Sequence, residues 1–471
     1  MSCSVVIPCH DGVELTRLCL ESLLAQESPP AEILIVDNGS QDATSTLGDF
    51  DPRVAVIRLD QNLGFAGGVN AGLRRATSEE VLVCNNDTQA APGMLAELQR
   101  VLRSSSDIGA AAPVSNHVKG EAHLPTCSDT RGAKAREEIA TALRQSAPPL
   151  QDVEILAGLC LLLRRSTLQE VSGFDERFGH GNFEDDDLSL RLRLRGYRLV
   201  LARRAFLHHE GHATFRHLGI DLNAELQQRA AQFREKWRTR PAGLAMLANM
   251  YGQDALAARA AEQALRSSPR WLDAHWLLGR FYQRRGRAEQ AIRHLRTFLA
   301  TCPEHVGAQV HLGLALRAAG RQAQGKQLLG YVTGRHALIP SLHAELLLRL
   351  GQFELEEQSF GSARELLRES LELQNDDGEA WNLLGLCELE RHDDQAAESA
   401  FAKAVEHEHA IANTNLGICQ HRRGDLHGAH RSFERAVVLL PEDRAARSNY
   451  EASAAALGRT AAAIDARAQA T

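Results

Sequence analysis

Residues 184–187 are four consecutive acids, from Glu184 to Asp187. They directly precede residues 188–195, which alternate apolar and basic side chains and are predicted to be helical. Acids at the start of a helix compensate the helix dipole, but that explanation accounts for only about two of them. Carboxylates packed this closely repel one another. The repulsion raises their pKa values and suits a general base. The run is therefore a candidate for catalysis.

A single acid, Asp87, ends another apolar segment as the last residue of Val-Cys-Asn-Asn-Asp. A carboxylate at a strand end can hold a divalent cation that bridges a diphosphate and offsets the charge on a leaving group. His208, His209 and His212 follow a further apolar segment at 198–202. A lone histidine is more often structural, but three in five residues favour one that completes a metal site with Asp87.

Two further segments could contact a ligand. Asp37 lies in Val-Asp-Asn-Gly-Ser at 36–40, where its carboxylate could accept the N3–H of a uracil or thymine ring, although the segment also reads as a simple turn. Residues 62–72 are glycine-rich. Glycines let the backbone approach a ligand, and a following helix offers its N-terminus to phosphate, but a glycine turn before a packed helix is the alternative.

The elements that must position these residues are short β-branched segments that alternate with amphipathic ones. This alternation predicts an α/β sheet whose ligands bind beyond the carboxyl ends of the strands. The predicted strands are 4–7, 32–36, 54–59 and 80–84, and the clearest predicted helices are 15–24 and 94–102.

Beyond residue 240 the predicted strands stop and a repeat begins. Gly351, Gly385 and Gly417 each precede an alanine by twelve positions and a leucine or phenylalanine by sixteen. The glycine spacings of 34 and 32 residues resemble the tetratricopeptide repeat, with a generic helical bundle as the alternative. Such arrays present a concave face to protein partners.

Bulk properties exclude several classes. The 471-residue chain has a formal net charge of -7, so no basic excess is present for nucleic acid. Its nine cysteines include no CxxC pair, which argues against a disulfide scaffold or thiolate zinc site. No signal peptide is evident, and the longest apolar run, 155–163, is too short to span a bilayer. We expect a cytoplasmic protein without a transmembrane segment, with a peripheral contact at the inner membrane left open.

Five motifs of the first half occur in the order found in inverting family 2 glycosyltransferases, which this half resembles, especially rhamnosyltransferase-like and galactofuranosyltransferase-like members. They are Val-Asp-Asn-Gly-Ser, Asn-Leu-Gly-Phe-Ala-Gly-Gly-Val-Asn-Ala-Gly, Asn-Asn-Asp, Gly-Phe-Asp-Glu-Arg-Phe and Glu-Asp-Asp-Asp-Leu-Ser-Leu-Arg. The resemblance implies a GT-A domain (α/β, Rossmann-like, with a mixed sheet) over 1–238. An all-α tetratricopeptide-repeat solenoid would follow over 239–457, with a tail or cap helix at 458–471.

The resemblance also implies roles. Asp185 would be the catalytic base beside Glu184, with Asp187 in support. Asp87 would ligate Mg²⁺ or Mn²⁺ as the last acid of the family's DXD motif, here Asn-Asn-Asp, together with His209. His212 is the competing ligand. The implied donor-binding set is Pro8, Asp37, Asn38, Asn62, Gly67, Asn70, Asn86 and Asp87, and Arg203 or Arg204 is a candidate for the diphosphate.

These roles predict a single displacement from a nucleotide-sugar donor. Three hypotheses remain open for the acceptor and for the role of the repeats. The repeats could grip a protein or peptide and feed a side chain to the base, as in flagellin-type glycosylation. They could instead dock the enzyme during O-antigen or capsule polysaccharide assembly, or the chain could be a non-catalytic scaffold. Residues 115–150 read as an acceptor-side insertion, and 157–160 lie by the acceptor in the family.

Overall fold

The computed structural model describes residues 2–118, 120–124, 129–179, 181–211, 222–250, 252–269, 271–335 and 340–457. The predicted tail at 458–471 and the candidate ligand His212 lie outside these described residues.

A mixed sheet forms the centre of the N-terminal part, as predicted. Its strand order is β3-β2-β1-β4-β8-β6-β9-β5, and β7 pairs with β9. The strands are β1 (Cys3–Cys9), β2 (Glu32–Asp37), β3 (Val54–Arg58), β4 (Glu80–Cys84), β5 (Thr88–Ala90), β6 (Ile108–Ser115), β7 (Gln151–Val153), β8 (Cys160–Arg164) and β9 (Arg198–His209).

Strands β1 to β4 are parallel, so their carboxyl ends and the polar residues that follow meet at one edge of the sheet. β8 runs antiparallel to β4 and starts at that edge, because Cys160 lies opposite Cys84. The amide of Asn85 donates to the Leu159 carbonyl at 2.9 Å. The sheet therefore places the Asn-Asn-Asp segment beside the residues that precede β8.

Helices cover both faces of the sheet, and one apolar core lies on each face. In α3, for example, Leu95, Leu98 and Leu102 recur at helical spacing and are all buried. The helices of this part are α1 (Val13–Leu24), α2 (Gly64–Leu73), α3 (Met94–Arg103), α4 (Ala133–Ser146), α5 (Arg165–Glu170), α6 (Glu184–Leu194) and α7 (Leu222–Trp237), with short 3-10 helices at Ala43–Asp49, Gly120–Ala122 and Glu176–Phe178.

From Pro241 onward the described residues form helices only, again as predicted. They are α8 (Pro241–Met250), α9 (Asp254–Ser267), α10 (Leu272–Arg284), α11 (Ala288–Thr301), α12 (Val306–Ala318), α13 (Gln322–Arg335), α14 (Pro340–Glu356), α15 (Phe360–Leu373), α16 (Gly378–Glu390), α17 (Asp394–Glu406), α18 (Ala412–Arg422), α19 (Leu426–Leu439) and α20 (Arg444–Ala456).

The repeated glycines have a packing role. A Cβ on Gly385 would lie 2.5 Å from the Phe401 ring, and one on Gly417 would lie 2.5 Å from the Phe433 ring. In each pair the aromatic residue comes sixteen positions after the glycine, on the partner helix of the same unit. Only glycine lets these helices approach so closely.

The chain divides by packing into two compact units. The first comprises Met1–Leu328 and Arg335–Ala337, and the second comprises Leu329–Gly334 and Leu338–Thr471. The sequence boundary predicted near residue 238 does not coincide with this division. Phe178 and Leu190 of the sheet part share one buried core with Trp276 and Phe298 of the first repeats. None of the described helices is both long and apolar enough to cross a membrane.

Candidate active site

The acid run forms the first turn of α6, as the sequence predicted, and a strained connection leads into it. Asn182 and Phe183 have φ values of 73° and 69°, in the left-handed region that favours glycine. Consecutive non-glycine residues in this region cost free energy and are most often found at functional sites. The strain turns the chain sharply so that α6 begins at Glu184.

Asp185 is held by backbone N–H groups. Its Oδ2 accepts from the Gly158 amide at 2.8 Å, and its Oδ1 accepts from the Asp186 amide at 3.0 Å. A Cβ on Gly158 would lie 3.3 Å from the Asp185 Cβ and 3.6 Å from Glu184 Oε1. A glycine at 158 therefore lets this backbone pass close to both carboxylates.

The three acids at the start of α6 have raised pKa values. Burial and then the charge of Asp185 raise the pKa of Glu184 well above its usual range. Burial raises the pKa of Asp185, although its N–H donors act in the opposite sense. Burial and the neighbouring carboxylates raise the pKa of Asp186 to about 7. Among the described residues Glu184 Oε2 is buried without a hydrogen-bond partner. A carboxylate whose pKa is raised accepts a proton more readily, as a general base must.

Asp187 is different, because its carboxylate is fully paired. It is buried, its Oδ2 accepts from Arg191 Nε at 2.7 Å, and its Oδ1 accepts from Trp237 Nε1 at 2.9 Å and pairs with Lys236 Nζ at 2.5 Å. Lys236 also pairs with Asp175 at 2.6 Å. These contacts tie α6 to α7, and the supporting role of Asp187 in catalysis stays a prediction.

A second pair brings Asp87 and His209 together. β5 pairs with β9 so that Thr88 lies opposite His209, and the His209 Nε2 lies 3.3 Å from Asp87 Oδ1. The other ring nitrogen, Nδ1, lies 2.6 Å from the His117 carbonyl, and Asn116 bonds to the His209 backbone. Burial lowers the pKa of His209, but the bond to Asp87 and its charge outweigh burial and raise it.

The Asp87–His209 pair fits a divalent cation only in part. Among the described residues no group of three or more His, Cys, Asp or Glu side chains forms a metal cluster. Asn85 Oδ1 is buried without a hydrogen-bond partner in the described chain, so the segment holds a third side-chain oxygen beside the two of the Asp87 carboxylate. Mg²⁺ is commonly held by one or two carboxylates together with substrate phosphates, and this donor set is compatible with that arrangement.

Asp37 is buried at the end of β2 and already has two partners. Its Oδ1 accepts from the Ser40 amide at 2.8 Å, and its Oδ2 pairs with Arg58 at 2.6 Å. Arg58 ends β3, which pairs with β2 in register so that Arg58 lies opposite Asp37. Sequence reasoning missed Arg58. The signal that could have predicted this contact was the alternation of side chains along two adjacent strands, β2 and β3.

The glycine-rich segment is engaged in packing. A Cβ on Gly68 would lie 3.2 Å from Pro8 Cβ, one on Gly72 would lie 2.3 Å from Val6, and one on Gly67 would lie 2.7 Å from Leu63. These distances favour the alternative of a glycine turn before a packed helix, since α2 lies directly on the sheet. The phosphate role of this segment stays a prediction.

The amides predicted to bind the donor mostly bond to backbone. Asn38 bonds to Leu63 and Gly64, and Asn62 accepts from the Gly64 amide. Asn70 Oδ1 accepts from the Phe174 amide at 3.0 Å, and its Nδ2 donates to the Phe174 carbonyl at 2.8 Å. These contacts join three of the five motifs to one another and leave a donor role untested.

The remaining candidates lie in different surroundings. Asn86 Nδ2 donates to Thr16 Oγ1 of α1 at 3.0 Å. His208 points away from Asp87 and contacts Thr130 and Glu210. Arg203 is buried and donates to the Glu121 carbonyl at 2.9 Å. Arg204 donates to Ala147. The diphosphate role of these arginines stays a prediction.

Comparison with known proteins agrees with the motifs. Residues 4–172 match the profile of glycosyl transferase family 2, and residues 252–305, 282–329 and 343–415 match a tetratricopeptide-repeat profile. The O-antigen biosynthesis protein RfbC of Myxococcus xanthus is 28% identical over 220 residues, which cover 44% of this chain and 17% of that protein. The solved structure of GalNAc-T7 with UDP, GalNAc and Mn²⁺ is 16% identical, with 44% of this chain and 43% of that chain covered and a TM-score of 0.37.

A further relative is an N-acetylglucosaminyl-diphospho-decaprenol L-rhamnosyltransferase of Mycobacterium tuberculosis (strain ATCC 25618 / H37Rv). It is 31% identical over 240 residues, which cover 45% of this chain and 77% of that protein. With this identity over most of a curated transferase, and with the family profile matched across β1 to α5, the chain belongs to glycosyl transferase family 2 and carries tetratricopeptide repeats after its transferase domain.

Proposed function

We propose that this glycosyltransferase moves one sugar, with inversion, from a nucleotide sugar to an acceptor side chain, and that Asp185 removes the proton of the acceptor. The observation that carries the proposal is the first turn of α6. There Asp185 is fixed by the Gly158 N–H and its pKa is raised, beside a Glu184 whose Oε2 has no hydrogen-bond partner among the described residues.

The mechanism is a single displacement. Asp185 takes the proton of the nucleophile, whose lone pair forms the bond to the anomeric carbon. On the opposite face the bond to the diphosphate oxygen breaks, and its electron pair leaves with the nucleoside diphosphate. Glu184 is the neighbouring acid, and burial and the charge of Asp185 raise its pKa.

On the donor side, Asp37 would bind the nucleotide base. Arg58, at the end of β3, forms an ion pair with the Asp37 carboxylate. A divalent cation held by Asp87 and His209 would neutralise charge on the diphosphate. Asp87 is 6% exposed, and its neighbour Asn85 contributes a buried oxygen without a partner in the described chain.

For the acceptor we propose a polypeptide held by the repeats. Support comes from a cavity of about 410 Å³ between α15, α16 and α17 in the second unit. Trp381 and Leu384 offer apolar surface there, while Arg368 and Glu372 offer charges of both signs. A mixed lining of this kind suits a peptide side chain with its backbone.

A glycan acceptor is the second candidate. The relatives named above include an N-acetylglucosaminyl-diphospho-decaprenol L-rhamnosyltransferase and an O-antigen biosynthesis protein. In this case the repeats would dock other proteins of the assembly. A cytoplasmic location suits both candidates.

The test uses full-length protein with nucleotide sugars, Mn²⁺, and either a polypeptide or a lipid-linked glycan acceptor. Asp185→Asn should lower transfer by about 10³-fold with donor binding retained, because a general base contributes about 10²–10⁴-fold. Donor binding is measured by calorimetry. Near-normal transfer by Asp185→Asn would remove Asp185 from the role of base. Trp381→Ala should raise the KM for the polypeptide alone, and transfer only to the glycan would select the second candidate.

A further inference from the structure

One helix of the first repeats, α10, contacts both elements that present Asp185. Asp273 and Trp276 lie three positions apart near the start of α10, so they share one face of the helix. Both are buried. The first reaches the far end of α6, and the second reaches the loop that leads to Gly158.

The first contact is a buried ion pair. Arg193, in the last turn of α6, donates through Nη2 to Asp273 Oδ1, and the two side chains are 1% and 2% exposed. Trp271 Nε1 donates to the other oxygen of Asp273 at 3.1 Å. The guanidinium also lies over the Phe298 ring, 5.7 Å from its centroid. The same helix that begins with Glu184 and Asp185 is thus fixed at its other end by the repeats.

The second contact holds the loop before β8. Trp276 Nε1 donates to Glu154 Oε1. Two residues on, the Leu156 amide donates to Ser189 Oγ of α6 at 3.2 Å, and the Gly158 amide donates to Asp185 Oδ2. The repeats therefore touch the segment that supplies the N–H donor of Asp185.

Nearby backbone reinforces this attachment. The Glu304 amide, which precedes α12, donates to Asp152 Oδ2 at 2.9 Å, and Arg198 pairs with Asp152 Oδ1 at 2.7 Å. A covalent link between two independent domains would need none of these bonds. Because burying an ion pair carries a desolvation cost, such a pair is weak evidence for stability and is better explained by the geometry that it fixes.

We propose that Asp273 and Trp276 are positioning residues for the transfer reaction: from the repeats they hold α6 and the 154–158 loop, and so place Asp185. The inference rests on the proposed role of Asp185. It gives one face of α10, the face with Asp273 and Trp276, a role in positioning Asp185.

The experiment uses the full chain with Asp273→Asn, Trp276→Phe and a matched control, Asp254→Asn. The control breaks an ion pair at the other end of α10, between Arg284 Nη1 and Asp254 Oδ2 at 2.7 Å, that lies within the repeats. Asp273→Asn should lower kcat by about tenfold or more, since small misplacement of a reacting group costs up to about 10²-fold. The KM for the donor should not change comparably. Trp276→Phe should show a smaller loss in kcat, and Asp254→Asn should show none.

A second readout does not depend on turnover. Hydrogen exchange should accelerate at the Gly158 amide and in the first turn of α6 in Asp273→Asn and Trp276→Phe, and should stay at the wild-type rate in Asp254→Asn. If Asp273→Asn only lowers Tm, with kcat and these exchange rates unchanged below the melting range, the inference is wrong. If that variant does not fold, Trp276→Phe decides by the same criteria. If the wild-type protein transfers no sugar, the proposed function fails, and the exchange rates alone decide the positioning inference.

Discussion

The glycine-rich segment at 62–72 and the acid run at 184–187 were both predicted to belong to the site, and each adjoins a helix. The structure uses them differently. Asn62 and Asn70 bond to backbone, and Gly72 packs on the sheet. In the acid run, Glu184 keeps an oxygen without a partner in the described chain.

This contrast distinguishes residues that build the site from residues that react in it. A residue whose polar atoms are all bonded internally has little left for a ligand, so its substitution should change stability. A buried residue with a raised pKa and unused bonding capacity should change activity instead. Asp187 lies in the acid run, but its carboxylate is fully paired, so we expect it to behave like a residue that builds the site. The following substitutions test the division, beginning with the largest expected effect on stability.

Asp187→Asn should lower the free energy of unfolding by about 3 kcal/mol, because it removes one partner of a buried, charged network with Arg191 and Lys236. Urea denaturation measures the loss. Asp186→Asn is the control, since the same chemical change one position earlier should not lower stability. If the Asp187 variant has normal stability but transfers no sugar, Asp187 belongs with the residues that react, and the distinction drawn above is wrong.

Gly72→Ala should lower stability by about 2 kcal/mol. Its Cβ would lie 2.3 Å from Val6 Cγ1, and overpacking costs about 1–3 kcal/mol, which exceeds the gain of up to about 1 kcal/mol in helix propensity. Val6 is β-branched and lies in the sheet, so it has little room to turn.

The matched control is Gly361→Ala in α15, where a Cβ would have nothing within 4 Å and only the propensity gain remains. Equal Tm shifts in the two variants would contradict the packing role of Gly72.

Asp186→Asn should change the pH dependence of stability. Its pKa is about 7 in the folded protein against an ordinary value of about 3.9, so between these values the folded state binds more protons. Stability then falls as pH rises through this window.

Asparagine removes this loss, so the variant should be more stable than the wild type at pH about 8 and should match it at pH about 4. Thermal melting at both pH values measures the difference. An equal difference at the two pH values would mean that Asp186 does not carry the proton.

Much of the fold could be predicted, because strands and helices leave periodic signals. The predicted strand 80–84 agrees with β4, and the predicted helix 94–102 agrees with α3 to one residue. The acid run was predicted at the start of a helix, where α6 begins. Motif order also led to the family and to the repeats.

What the sequence did not reveal depends on partners far away in the chain. Arg58 reaches Asp37 only through strand pairing, and Asn70 reaches Phe174 across 104 positions. The pair of Arg193 and Asp273 has no motif of its own. A pattern gives the type of side chain and its local spacing, whereas these bonds follow from tertiary packing.

The core that Phe178 and Leu190 share with Trp276 and Phe298 constrains how such proteins can be recombined. A gene fusion that joined a different helical array at residue 238 would leave an apolar surface bare beside α6 and a buried Arg193 without its counter-charge. We expect a join near Leu328 to be tolerated better, because the main part of the first compact unit ends there. The early repeats thus pack as part of the transferase unit, whereas the later ones form a compact unit of their own.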